Sequence, residues 1–154
     1  MQIFRISSNH RRSAMYLDNR RLSKQVLELY QIIRVCLAAL NIIEGNTRYL
    51  NHPIVKHVYN DGHPYIIDCF LMLTIMDEEH RRRGGNRSET FQQYLQRLKD
   101  IIDDNINLFS NETMPPYYVF GTDKIYGDQV FDAYRNLLHQ KWKQDKIAPR
   151  CGIK

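Results

Sequence analysis

The chain is poor in cysteine and pairs none of it by spacing. Cys36, Cys69 and Cys151 are an odd number with no C-x-x-C, which argues against a disulfide framework and a zinc ribbon. Free thiols suit a reducing, intracellular compartment, with two core thiols and one in the tail expected. Long apolar runs are also missing. Stretches such as Val35–Leu40 fall well short of the roughly 20 residues that span a bilayer. The opening Met1-Gln2-Ile3-Phe4-Arg5 lacks the apolar core of a signal peptide, so neither secretion nor a membrane is expected. There is no internal repeat, low-complexity tract or Ser/Gly linker. GxSxG, P-loop, GxGxxG and HExxH motifs are absent, which leaves the common hydrolase, nucleotide-binding and zincin readings without an anchor.

What is there is 154 residues of ordinary globular composition, 43% apolar and 25% charged, enough for a single domain. The net charge of +5 is unevenly spread. Residues 1–24 carry Arg5, Arg11, Arg12, Arg20, Arg21 and Lys24 against Asp18 alone. Residues 135–154 carry Arg135, Lys141, Lys143, Lys146, Arg150 and Lys154 against Asp145, while the middle is acidic. A fold that joins the two ends makes one positive face suited to a polyanion, of which nucleic acid is the commonest.

Helical spacing recurs in four windows. Leu22, Val26, Leu29, Ile33, Leu37, Leu40 and Ile43 predict a long helix capped by Asp18 or Asn19 and stopped near Gly45. Ile66, Cys69, Phe70, Leu73 and Met76 predict a second, entered through Pro64 and ended by Gly84-Gly85. Phe91 to Phe109 follows Ser88 as cap, and Val130 to Trp142 makes the fourth. Pro53 opens a shorter helical piece, and residues 110–127 read as an irregular connection. The expectation is an all-α, compact multi-helix domain over 1–154, with short or no β structure.

Several groups could carry chemistry. Arg20, Arg21 and Lys24 crowd a helix N-terminus, where positive charge opposes the macrodipole unless an anion compensates it. Glu28 lies one turn beyond Lys24, as a surface pair or as a carboxylate beside an amine. His52, His57 and His63 lack the spacing of a helical metal pair, so neither a metal nor another cofactor is implied. Asn51-His52-Pro53 reads as a turn presenting polar side chains to a groove. The run Asp77–Gly84, acids before bases, reads as a solvated helix end. Tyr117, Tyr118, Tyr126, Tyr134 and Trp142 either stack on bases beside the basic residues or fill the core.

The segment Tyr16–Glu28 (YLDNRRLSKQVLE) resembles the LDxRRLxKQxxE stretch in relatives of the phage-type pyrimidine-dimer DNA glycosylases, the endonuclease V family. Met1-Gln2-Ile3-Phe4, Asn51-His52-Pro53, Arg82-Arg83-Gly84 and Arg135-Asn136-Leu137-Leu138 with Lys141 are similar to further short motifs there. The resemblance implies an all-α domain that grips bent duplex DNA, cleaves the glycosylic bond at a damaged pyrimidine and nicks the backbone by β-elimination. In the best-known members an N-terminal Thr α-amine, exposed by loss of the initiator Met, is the nucleophile. A glutamate near the start of the long helix assists it. Here residue 2 is Gln, whose bulk hinders removal of Met1, and the glutamate position holds Arg20 or Arg21.

The sequence thus points to a DNA glycosylase and abasic-site lyase on double-stranded DNA, acting as a monomer. Its catalytic candidates are Met1, Gln2, Asp18, Lys24 and Glu28. Its DNA-binding candidates are Arg5, Arg11, Arg12, Arg20, Arg21, Asn51, His52, Arg135, Lys141 and Lys143. The alternatives are a non-catalytic DNA-binding protein on the same scaffold, or an enzyme acting on modified nucleosides.

Overall fold

The computed structural model describes residues 1–151. It is mainly helical, with α1 (His10–Tyr16), α2 (Asn19–Ala39), α3 (Pro53–Tyr59), α4 (Ile66–Arg82), α5 (Glu89–Asp104) and α6 (Gln129–Gln144). Between α5 and α6 lies an antiparallel hairpin of β1 (Tyr117–Phe120) and β2 (Asp123–Tyr126), with Tyr117 opposite Tyr126 and Phe120 opposite Asp123. The compact helical domain with short β structure is as expected, but the irregular connection expected over 110–127 is corrected by this hairpin. It has no alternating pattern because Tyr117, Tyr118 and Val119 are all buried. Tyr117 stacks on Tyr126 and lies beside His57, while Tyr118 meets Tyr134 edge-on. A strand covered on both faces does not alternate.

Helix α2 is the axis of the fold. At 1.5 Å per residue it is about 32 Å long, and its Leu22, Val26, Leu29, Ile33 and Leu37 are fully buried. Its principal neighbour is α4, against which α1 also packs. Asp18 caps α2 by accepting from the Arg21 amide. The helix stops earlier than the predicted Gly45. Asn41 turns left-handed at φ 59°, and the Ile42 amide reaches back to the Leu37 carbonyl. Helix α4 begins at Ile66, with Pro64 two residues outside it rather than at its first position. It ends where predicted, with Gly84 at φ 92° and the Gly85 amide bonded to the His80 carbonyl. Ser88 caps α5 as predicted, but that helix ends at Asp104 and Phe109 packs from the segment beyond.

The first nine residues cross the core without a strand partner, and Ile3, Phe4, Arg5 and Ile6 are all buried. Side chains satisfy their backbone instead. The Gln25 carboxamide accepts from the Phe4 amide at 2.9 Å and donates to the Gln2 carbonyl at 2.7 Å. Ser13 Oγ likewise accepts from the Ser7 amide and donates to the Ser7 carbonyl.

The two basic ends meet. Trp142 Nε1 donates to Asp18 at 2.8 Å, Tyr16 Oη lies 2.7 Å from His139 Nε2, and the Asn19 amide donates to the Arg150 carbonyl. Lys154, counted in the C-terminal cluster, lies outside the described residues. The Asp77–Gly84 run is solvated along Glu78, Arg81 and Arg82, and Arg81 pairs with Asp77, but its inner side is buried. Glu79 is buried and takes hydrogen bonds from Arg82 and Arg83, and Arg83 also donates to the Ala14, Met15 and Leu17 carbonyls that close α1. Among the described residues, no helix is long and apolar enough to cross a membrane. Cys36 and Cys69 are buried free thiols, and burial pushes Cys36 up to about 12.

Candidate active site at the chain start

Residue 2 is held on every hydrogen-bonding group it has. Its amide donates to Glu28 Oε2 at 3.1 Å, and its carbonyl accepts from Gln25. Its side chain donates to the Val119 carbonyl at 2.8 Å and accepts from Tyr134 Oη at 2.9 Å. Helix α2, strand β1 and helix α6 therefore fix where the chain begins. Gln25 and Tyr134 are buried, so these anchors are rigid.

Around this anchor stand Glu28, Lys24 and His52. Lys24 Nζ is 3.8 Å from Glu28 Oε1, but its side chain is 73% exposed whereas Glu28 is largely covered. His52 caps α3, its Nδ1 accepting from the Ile54 amide at 3.2 Å, which leaves Nε2 as the protonated nitrogen of the neutral ring. Burial holds this imidazole below its usual range. The N-terminal ammonium lowers it further and Glu28 opposes, so the three groups share one electrostatic neighbourhood. Asn51, beside it, is exposed at the end of a 3₁₀ turn.

The other candidates lie apart. Asp18 is buried and fully engaged in capping α2 and in bonds with Arg21 and Trp142, so it is not a carboxylate for chemistry at the amine. Arg21 forks onto Asp145 at 2.7 and 3.0 Å. Asp145 is therefore the anion that compensates this cation. That hydrogen bond raises the guanidinium pKa, with burial opposing and Asp18 assisting. Arg5 is only 2% exposed and donates to the Met114 carbonyl at 3.0 Å, so it is a core residue and not a DNA contact. Desolvation lowers its pKa, and nearby Asp68 opposes this. Asp68 itself is pushed up by burial, but its bonds from His10 Nε2 at 2.8 Å and the Met114 amide carry it below its usual range.

A second feature gathers cations. A groove of about 750 Å³ between the chain start, α1 and α6 is lined by Arg11, Arg12 and Arg135 with Met15, Tyr16 and Phe131. Arg11 makes an exposed contact to Glu78, Arg135 one to Asp132, and Arg12 has no ion pair among the described residues. Arg20 and Lys143 are exposed, and Lys141 Nζ lies 5.6 Å from the centre of the exposed Phe120 ring. The groove shares no residue with the amine site.

Sequence reasoning missed Gln25 and Tyr134, which position the chain start, and Arg83, which ties α1 to α4. For Gln25 a signal existed. It sits between Leu22 and Leu29 on the apolar stripe of α2, where a carboxamide needs buried partners.

Comparison with known proteins adds a family. No curated protein and no solved structure matches the chain. The sequence model of one family, described as pyrimidine dimer DNA glycosylase, matches residues 1–93. That stretch includes the anchored N-terminus, Glu28 and His52, with α1 to α4. The chain belongs to the pyrimidine dimer DNA glycosylase family.

Proposed function

We propose that the protein removes damaged pyrimidines from double-stranded DNA and nicks the resulting abasic site through an imine on its N-terminal amine. It does so as a monomer, in a reducing intracellular compartment. The observation that carries this reading is the Gln2 nitrogen 3.1 Å from the Glu28 carboxylate, at a chain start held by Gln25, Val119 and Tyr134. These bonds anchor the residue next to the one that bears the α-amine, near a carboxylate and an imidazole, and a positioned amine is what nucleophilic attack at a sugar carbon needs.

In the reaction the amine nitrogen bonds to C1′ and the glycosylic C–N bond breaks, its electron pair leaving on the base, which takes a proton. Loss of the amine protons and opening of the sugar ring give the C1′ imine. Removal of a C2′ proton then expels the 3′-phosphate as the C3′–O bond breaks, with the imine as electron sink, and water releases the amine. Glu28 holds the Gln2 amide, one residue from the amine, and stabilises the positive charge that develops at C1′. The α-amine is preferred over Lys24 because the chain start that carries it is held in place. The exposed side chain of Lys24 also lacks an anchor. Arg11, Arg12, Arg20, Arg135, Lys141 and Lys143 supply phosphate contacts.

Borohydride trapping on a duplex with one abasic site, followed by mapping of the cross-linked peptide, tests this. The expected adduct is at residue 1, and Glu28→Gln slows its formation by about 10²-fold, the usual size of a lost transition-state charge partner. Tight, salt-dependent binding with no adduct would instead mark a DNA-binding protein without the chemistry.

A further inference from the structure

The hairpin between α5 and α6 carries an aromatic ring that the core does not take up. Its strands are joined through Gly121 and Thr122, with Gly121 at φ 59°. The first central position of such a turn calls for glycine, and a two-residue connection leaves the tip little freedom. The hairpin packs on α6, and at its open end Tyr117 stacks on Tyr126 at 4.7 Å. Tyr117, Tyr118 and Val119 are buried, but Phe120, next in the strand, is 47% exposed. An exposed phenylalanine means little by itself, so its neighbours decide what it does. The Val119 carbonyl takes the Gln2 side chain at 2.8 Å, which makes Phe120 the residue after the one that holds the chain start. The Lys141 ammonium lies 5.6 Å from the centre of its ring. Within the hairpin Asp123 balances Lys124, so the surplus positive charge at the ring comes from Lys141 on α6.

From this arrangement we infer that Phe120 is a wedge, which enters the base stack of duplex DNA at the damaged step while Lys141 meets a flanking phosphate. Apolar side chains pushed between base steps unstack them and kink the duplex. A stiff support matters, because a ring on a mobile loop would lose in ordering what it gains by stacking. A ring backed by a cation matches the alternation of base and phosphate along a strand, which the apolar surface of a second protein does not offer. The strand that carries the ring also holds residue 2, so a step opened by Phe120 brings its sugar toward the residue that bears the amine. The hairpin lies beyond the part of the chain that carries the family match. The wedge rests on the glycosylase reading for its substrate, and its own action does not require the imine.

The test uses the full chain and its Phe120→Ala and Phe120→Leu variants. The first probe is a duplex with one tetrahydrofuran abasic analogue and 2-aminopurine as the neighbouring base. The analogue has no aldehyde, so no imine forms on it. At saturating protein the unaltered chain should raise the 2-aminopurine emission as that base unstacks. Phe120→Ala should lose most of the rise, whereas Phe120→Leu, still an apolar wedge, should keep most of it. On a true abasic site, borohydride trapping by Phe120→Ala should fall by about tenfold in duplex, the size of one lost base stack. It should fall far less on a single strand, which has no paired stack to open. The wedge is overturned if the alanine variant raises the emission as far as the unaltered chain, or if the unaltered chain raises none, whatever the trapping shows. Equal losses of trapping on duplex and single strand also overturn it, because they mark a displaced chain start. If the emission behaves as expected and the unaltered chain never traps, the wedge stands and the imine reading falls.

Discussion

Replacing Arg83 by alanine should unfold this protein at a markedly lower temperature, although Arg83 lies in a run that reads from sequence as solvent-exposed. Its guanidinium makes a 2.8 Å bond to Glu79 and 2.7–3.0 Å bonds to the Leu17, Ala14 and Met15 carbonyls and Asn19 Oδ1. The Glu79 side chain is only 1% exposed. Removing one partner of a buried ion pair costs about 3–5 kcal/mol. Here Arg82 keeps both Glu79 oxygens, at 2.6 and 2.8 Å, so the carboxylate's share is at the low end. The α1 carbonyls lose charged donors worth about 1.5–3 kcal/mol each, and water entering the space restores part of that. A net loss of about 4 kcal/mol corresponds, at about 2–4 °C per kcal/mol for a chain this long, to a fall in Tm of roughly 8–16 °C. Arg83→Lys should lose at least half as much, because one ammonium cannot reach groups arranged around a planar fork.

Thermal denaturation followed by circular dichroism reads the effect, and its pH dependence adds a second arm. The Arg82 hydrogen bonds hold Glu79 below the usual carboxylate range, against the effect of burial and with help from Arg83. Stability from that shift is fully present above the usual carboxylate range and lost as pH falls through the lowered value in the fold. The gap between the two proteins should be widest near neutral pH and shrink in acid. A fall of less than about 3 °C for the alanine variant is too small for the loss of a buried pair in a chain this long, and would refute the reasoning. So would a gap that does not change with pH.

Burial lowers the His52, His57 and His80 pKa values, so the folded state resists their protonation. Tm should be flat above the usual imidazole range and decline as pH falls below it, and His57→Phe should remove part of that decline. Gln25→Ala frees the Gln2 carbonyl and the Phe4 amide together. Abasic-site trapping should fall by about tenfold or more, as expected for a displaced nucleophile, while the protein stays folded by circular dichroism. Arg20 and Arg21 should separate in a salt titration. Arg20→Ala lowers the slope of log affinity against log salt by about 1, whereas Arg21→Ala lowers Tm through the lost Asp145 fork and leaves the slope nearly unchanged.

The sequence by itself was enough for the helical frame. The apolar repeats of α2, α4, α5 and α6 are local periodicities, and the Asp18 and Ser88 caps and the Gly84 stop act within a turn of their own residue. The motif around residues 16–28 likewise pointed to the family, because it is contiguous. Tertiary structure decided what each charge does. Arg5, Arg21 and Arg83 read alike on paper as basic surface, yet each is committed to a partner many residues away. Strand β1 was hidden because aromatic neighbours from α3 and α6 bury Tyr117 and Tyr118 alike. Met1, Gln2 and Glu28 were legible as candidates at the chain start, but the hold on that start was hidden. It exists only where α2, β1 and α6 converge on residue 2, and a convergence of distant segments leaves no periodic trace in any one of them.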